Sequence, residues 1–155
     1  MNRLLIAIGL AWLAVAEPAT AASPTDSDRL ALEQLAAAND AAWSVKDVTT
    51  ISGQYVADGS VRVAPQAPVI YGREPVTKFF DGAFARREGT HRHITALDNI
   101  ELITPDMALA DAGVRVERQE ADGSWSLVRT FRSVTLAVRE GGTWKLRSVR
   151  AIPLN

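Results

Sequence analysis

The two histidines of the chain, His91 and His93, are separated by one residue in a segment typical of a β-strand. Residues two apart in a strand point to the same side, so the pair could ligate a transition metal or supply an acid–base imidazole. A metal site needs at least a third ligand, and no carboxylate is clearly placed beside the pair. We therefore predict no metal and no cofactor. His93 is a candidate catalytic base, with a solvated or interfacial histidine pair as the alternative.

Other polar residues fall where the pattern is apolar. Asn39 lies within the apolar stripe of the first predicted helix, and Arg150 shares its parity with apolar positions of the last predicted strand. A buried amide needs hydrogen-bond partners, and a buried guanidinium needs an acidic partner or an anionic ligand. We interpret both as anchors for a small apolar or anionic organic molecule, with a structural hydrogen bond to the sheet backbone as the alternative for Asn39. Four aromatic residues are candidate pocket walls: Trp43, Tyr55, Phe80 and Trp144.

Hydrophobic periodicity positions these residues on helices followed by strands. The first helix is predicted to begin at an N-cap in Asp26-Ser27, the second to span 48–55, and the third to follow Gly72. Asp58 is a second candidate acid–base residue. Because Asp58-Gly59 is also a turn signal, the alternative is a simple turn residue. The strands are predicted at 60–64, 91–103, 107–119, 125–138 and 143–152.

This order predicts an α+β fold in which a curved antiparallel sheet wraps three N-terminal helices like a cone, leaving an internal pocket. Even positions of the first two long strands are mostly apolar and should face the helices. The odd positions should face outward, including the histidines unless a bulge reverses them. We expect a homodimer through that odd face, which carries Thr95, Arg115 and Glu117.

Residues 1–21 have the pattern of a signal peptide. Arg3 is followed by an apolar run from Leu4 to Val15 and by Ala19-Thr20-Ala21, the small-x-small cleavage pattern. We predict cleavage after Ala21, a single domain over 22–155, and a periplasmic or secreted protein. The chain has no cysteine to carry a lipid anchor, and its formal charge is −1. We therefore expect neither a membrane nor a nucleic-acid partner for the mature protein.

In the order of its features the chain resembles the nuclear transport factor 2-like superfamily, in its SnoaL-like and ketosteroid-isomerase-like branch. The resemblance spans roughly residues 26–153 and implies the cone fold. It implies no single activity, because this superfamily includes isomerases, dehydratases, cyclases, epoxide hydrolases and non-catalytic binders. The segments that carry it are Ala42-Trp43-Ser44-Val45-Lys46-Asp47, Tyr55-Val56-Ala57-Asp58-Gly59, Tyr71-Gly72-Arg73-Glu74-Pro75-Val76 and Gly141-Gly142-Thr143-Trp144-Lys145-Leu146.

The resemblance also argues against ketosteroid isomerase activity. Those enzymes use a Tyr on the first helix and two Asp on strands, and the aligned positions here are Asn39, Ala64 and Val134-Thr135. Dehydratase-like members are more similar, at Arg92-His93 and in an Arg on the last strand, here Arg147 or Arg150.

Three functions stay open at this point. The domain could bind a small, mostly apolar molecule. It could be a cofactor-independent dehydratase, isomerase or cyclase that uses the same pocket. It could also be a non-catalytic dimerisation or partner-binding module whose interior is filled by side chains.

Overall fold

The computed structural model describes residues 23–154. The signal peptide predicted for residues 1–21 lies outside the described residues, and the export of the protein stays a prediction. Among the described residues, no helix combines the length and the apolar character that crossing a membrane requires.

Three helices carry the first half of the domain: α1 (Asp26–Ser44), α2 (Val48–Gly53) and α3 (Arg73–Ala85). Thr25 caps α1, because its Oγ1 accepts a hydrogen bond from the Asp28 N–H at 3.1 Å, so the cap lies just before the predicted Asp26-Ser27. Gly72 precedes α3 with φ of 89°, a conformation that favours glycine. Each helix therefore begins at a local signal, as the sequence indicates.

The strands of the described residues are β1 (Tyr55–Arg62), β2 (Ile70–Tyr71), β3 (His91–Thr104), β4 (Met107–Gln119), β5 (Trp125–Glu140) and β6 (Thr143–Pro153). They form one sheet in the order β2-β1-β6-β5-β4-β3. Strands β3 to β6 are the predicted antiparallel meander, but β1 runs parallel to β6, so the sheet is mixed rather than wholly antiparallel. The two-residue β2 was not predicted.

The turn predicted at Asp58-Gly59 is wrong, because both residues lie inside β1. The pairing of β1 with β6 shifts register between Tyr55 and Ser60, which marks a bulge or irregularity. A Cβ on Gly59 would lie 3.1 Å from the Leu146 carbonyl oxygen and from the Tyr55 ring, so glycine permits a close approach there. The Asp-Gly pair therefore marks an irregular strand instead of a chain reversal, and α2 ends earlier than predicted.

The sheet curves around α1. This helix contacts both β3 and β6, which are separated in the sheet by β4 and β5. In a flat sheet those strands would stand about 14 Å apart, wider than a helix with its side chains. Contact with both therefore requires a bent sheet. The α+β class and the curved sheet around N-terminal helices are confirmed.

Register shifts decide which residues face the helices. Between Leu97 and Asn99 the pairing of β3 with β4 is irregular. Before this point the odd residues His93 and Thr95 face the interior, and after it the even residue Ile100 is buried. The prediction that odd positions face outward is therefore wrong for the first half of β3, since one bulge reverses the parity of a strand.

The predicted dimer face changes at two positions. The irregularity in β3 turns Thr95 inward, where it bonds to α1, whereas Glu117 is buried beside its ion-pair partners Arg92 and Arg115. Of the three residues expected on that face, only Arg115 is exposed. The homodimer itself stays a prediction.

The first turn of α1 is tied to the sheet by a carboxylate, and this contact predicts an acid-sensitive stability. The Thr25 hydroxyl, 2.8 Å away, and the Arg139 guanidinium hold the pKa of Asp28 below its ordinary value. A lowered folded-state pKa stabilises the protein above the unfolded pKa of about 3.9, and this contribution disappears as the pH falls through the folded-state value. We expect Asp28→Asn to lower the melting temperature at pH 7.

Thermal unfolding followed by circular dichroism tests this expectation across pH. The difference between wild type and Asp28→Asn should shrink as the pH falls below about 4. Asp26→Asn, an exposed change in the same turn, is the matched control. A difference of equal size at pH 3 and pH 7 contradicts the assignment.

Candidate functional site

A carboxylate on α1 holds two residues of β3. The Oδ1 atom of Asp40 accepts from His93 Nδ1 at 2.6 Å and from the Thr95 hydroxyl at 2.7 Å, and Oδ2 accepts from the Thr95 N–H at 2.6 Å. Because an ionised carboxylate only accepts hydrogen bonds, the imidazole proton lies on Nδ1. In the neutral ring, Nε2 then carries the free lone pair.

Ser44 and two aromatic rings also fix the position of His93. Ser44 donates its hydroxyl to the Asp40 carbonyl at 2.8 Å and accepts from the His93 N–H at 3.1 Å. The ring packs against Trp43 and Phe131, whose ring centroids lie 4.9 and 5.7 Å from its own. Within residues 23–154 no protein group hydrogen-bonds Nε2. The His93 side chain is only 11% exposed, so this nitrogen is available inside the domain.

His93 is part of the wall of a cavity of about 620 Å³ between the helices and the sheet. Pockets that bind small molecules typically enclose roughly 300–1,000 Å³ and are mostly apolar. Buried small residues on the neighbouring strands β4 and β5, among them Ala110, Ala112 and Ala137, leave this space open. The residues predicted from the sequence that line it are Asn39, Trp43, Tyr55, Phe80 and His93.

Three other predicted site residues, Trp144, Arg150 and Asp58, lie outside the cavity lining. Trp144 packs in a second core cluster with Leu32, and the Arg139 guanidinium lies 4.6 Å from its ring. Arg150 donates to the Ser60 hydroxyl at 3.2 Å and to the Val149 carbonyl. The predicted placement of Trp144 and Arg150 in the pocket wall is therefore wrong.

The error at Arg150 has a local cause in β6. Its pairing with β5 is irregular opposite Leu136 and Ala137, so parity changes along the strand. Val149 and Ala151 therefore line the cavity where Arg150 was expected to do so. The third residue outside the lining is the other catalytic candidate, Asp58, which is 71% exposed and forms an ion pair with Arg147.

Asn39 on α1 and Tyr55 at the start of β1 supply further polar groups to the lining. Asn39 Nδ2 donates to Gln54 Oε1 at 2.6 Å, and not to the sheet backbone as the alternative for this residue proposed. Burial raises the pKa of the Tyr55 hydroxyl, and the charge of Arg150 offsets this only in part. The phenol therefore stays protonated at neutral pH and is suited to donate a hydrogen bond.

Asp40, which sequence reasoning missed, orients the main acid–base candidate. The available signal was its spacing from Trp43 and Ser44, which puts all three on one helix face. Thr95 was assigned to the wrong face because the bulge in β3 leaves no mark in the sequence. Among residues 23–154 no three His, Asp or Glu side chains cluster as a metal site would require.

These features define a class: an α+β cone whose helices and bent sheet enclose an apolar cavity with one polar wall. The chain belongs to the SnoaL-like domain family of the nuclear transport factor 2-like superfamily, and the family model matches residues 25–150.

Solved structures share the fold at low sequence identity. Aln2 from a Streptomyces species superposes with a TM-score of 0.77 at 19% identity, over 84% of this chain and 93% of that chain. A Catenulispora acidiphila protein in complex with S-DNPA gives 0.70 at 18% identity, over 83% and 95%. A ketosteroid isomerase-like protein from Erwinia carotovora atroseptica gives 0.67 at 15%, over 84% and 99%. No curated protein is detectably similar to the chain.

Proposed function

We propose that this domain binds a small, mostly apolar organic molecule in its internal cavity. The observation that carries the proposal is the cavity of about 620 Å³, lined by aromatic and aliphatic side chains with a few polar atoms. Enclosure of an apolar molecule there removes its surface from water, which is the main favourable term in such binding. A neighbour of the same fold in complex with S-DNPA supports a binding role for such a cone.

Polar groups in the lining would orient the molecule. The Ser133 and Thr135 hydroxyls lie 3.3 Å apart on β5 and both belong to the lining. Asn39 keeps its side-chain oxygen available after its amide nitrogen bonds Gln54. A ligand carbonyl or hydroxyl near either group would gain a directional contact in an otherwise apolar site.

Filling the cavity should abolish binding. In Ala112→Leu, three added carbons extend from a buried lining position into the open space, so we expect the affinity for the neutral fluorescent probe N-phenyl-1-naphthylamine to fall at least about tenfold. Fluorescence titration measures this. Ala96→Leu, on an exposed position of β3, is the matched control and should bind like wild type. Equal affinity in both variants contradicts the cavity as the binding site.

A second function is favoured by one specific observation, the Asp40–His93 pair. A base must be held in one tautomer with its free nitrogen facing the reactant, and Asp40 supplies this orientation. The same carboxylate would stabilise the imidazolium formed when Nε2 takes a proton from the ligand. We propose this as the alternative: a cofactor-independent dehydratase, isomerase or cyclase that uses the same cavity.

The two functions separate in a His93→Ala variant. Native mass spectrometry of the protein isolated from its own host identifies the bound molecule, which then serves as ligand and substrate. If the enzyme hypothesis holds, kcat falls roughly 10²- to 10⁴-fold while affinity changes little. Asp40→Asn should lower kcat in the same direction. Asp58→Asn is the exposed control and should leave turnover unchanged. An unchanged kcat in His93→Ala rules out the enzyme hypothesis.

We also propose that the domain acts after export, in the periplasm or outside the cell. The support is the signal-peptide pattern of residues 1–21. The intact mass of protein recovered from the periplasm or medium should correspond to a chain beginning at Ala22. Recovery of only the full-length chain, retained in the cytoplasm, contradicts this proposal.

A further inference from the structure

Positive charge collects in the cavity lining without carboxylates to neutralise it. Arg86, Arg87 and Arg129 belong to the lining, and no Asp or Glu of residues 23–154 does. None of the three arginines forms an ion pair with a carboxylate in the described part of the chain. Arg86 and Arg129 are exposed, so these charges stand where the cavity opens to solvent.

Several arginines of β3 to β6 outside the lining pair with carboxylates, although Arg29, Arg62, Arg73 and Arg150, also outside the lining, form no ion pair in the described residues. Arg132 pairs with Asp98 at 2.5 Å, Arg92 pairs with Glu117 at 2.6 Å, and Arg147 pairs with Asp58. What distinguishes the cavity is therefore not the presence of unpaired arginines alone. Three of them lie in one lining that contains no Asp or Glu of the described residues.

Two of the cations lie against aromatic rings that pack on His93. The Arg87 guanidinium lies 4.0 Å from the Trp43 ring, and the Arg129 guanidinium lies 5.9 Å from the Phe131 ring. Trp43 and Phe131 both pack against the His93 imidazole. Both guanidinium groups therefore lie on rings that contact the site's acid–base residue.

The position of the Arg87 guanidinium beside Trp43 is energetically unfavourable. Its Nη2 atom donates to the Trp43 carbonyl at 3.0 Å, while Nε and Nη1 are buried without a hydrogen-bond partner. Burial lowers the pKa of Arg87, and repulsion by the Arg129 charge lowers it further. A buried cation beside a second cation is costly unless an anion approaches them.

We propose that the ligand of this cavity carries an anionic group, such as a carboxylate or sulfonate, which Arg129 binds at the mouth beside Arg87 while the apolar body fills the interior. This inference rests on the proposed binding function and specifies its ligand class. The sequence predicted Arg150 as the residue that binds an anionic ligand. This proposal assigns that role to Arg129 and Arg87, which line the cavity. Arg129 is exposed and supplies the direct hydrogen bonds, and Arg87 supplies fixed charge from beneath the surface.

Two fluorescent probes with one skeleton test the proposal. The sulfonate 8-anilinonaphthalene-1-sulfonate and the neutral N-phenyl-1-naphthylamine differ by the charged group. We expect Arg129→Gln to weaken the sulfonate about ten- to a hundredfold, the loss of a charge-assisted hydrogen bond, and to change the neutral probe less than about twofold. Added salt should weaken the sulfonate more in wild type than in the variant.

Arg132→Gln is the matched control, on the same strand but paired with Asp98, and should bind both probes like wild type. Ala112→Leu should release both probes, which places them in the cavity. If both probes bind wild type and Arg129→Gln weakens neither, or weakens both equally, the anion proposal fails and the binding function stands. If neither probe binds wild type, both proposals fail.

Discussion

The carboxylate of Asp40 sets the arrangement on which the site depends. It accepts three hydrogen bonds from two residues of β3, with its side chain only 17% exposed. A carboxylate removed from water is costly unless its lone pairs are used, so the helix and the edge strand are held in one relative position. The orientation of His93 follows from this contact, which also fixes the C-terminal half of α1 against β3, while the Asp28–Arg139 pair ties its first turn to β5.

The sequence predicted the long strands almost to the residue, because alternation and short Gly-containing connections are strong local signals. It predicted the three helices from their start signals and the helical spacing of apolar residues, and Asn39 as an inward polar residue. The failures share a physical cause. One extra residue in β3 or β6 reverses the side-chain parity beyond it, and a bulge has no composition of its own. Arg150 and Thr95 were misplaced in this way.

Asp40 was missed for a different reason. An acid on an alanine-rich helix is expected in solvent, and only the three-dimensional approach of β3 supplies its partners. Long-range contacts of this kind join residues 53 and 55 positions apart in the chain. The spacing from Trp43 and Ser44 indicates the helix face of Asp40, but no window of neighbouring residues shows that His93 and Thr95 lie opposite that face.

The reversal of parity within β3 has a consequence for redesign of this protein. Before Leu97 the strand presents odd positions to the cavity, and beyond Asn99 it presents even positions to the core. A saturation library across the strand would therefore show two out-of-phase patterns of tolerance, one set by ligand fit and the other by packing. The residues before and after the bulge can therefore be varied separately, provided that the bulge between Leu97 and Asn99 is kept.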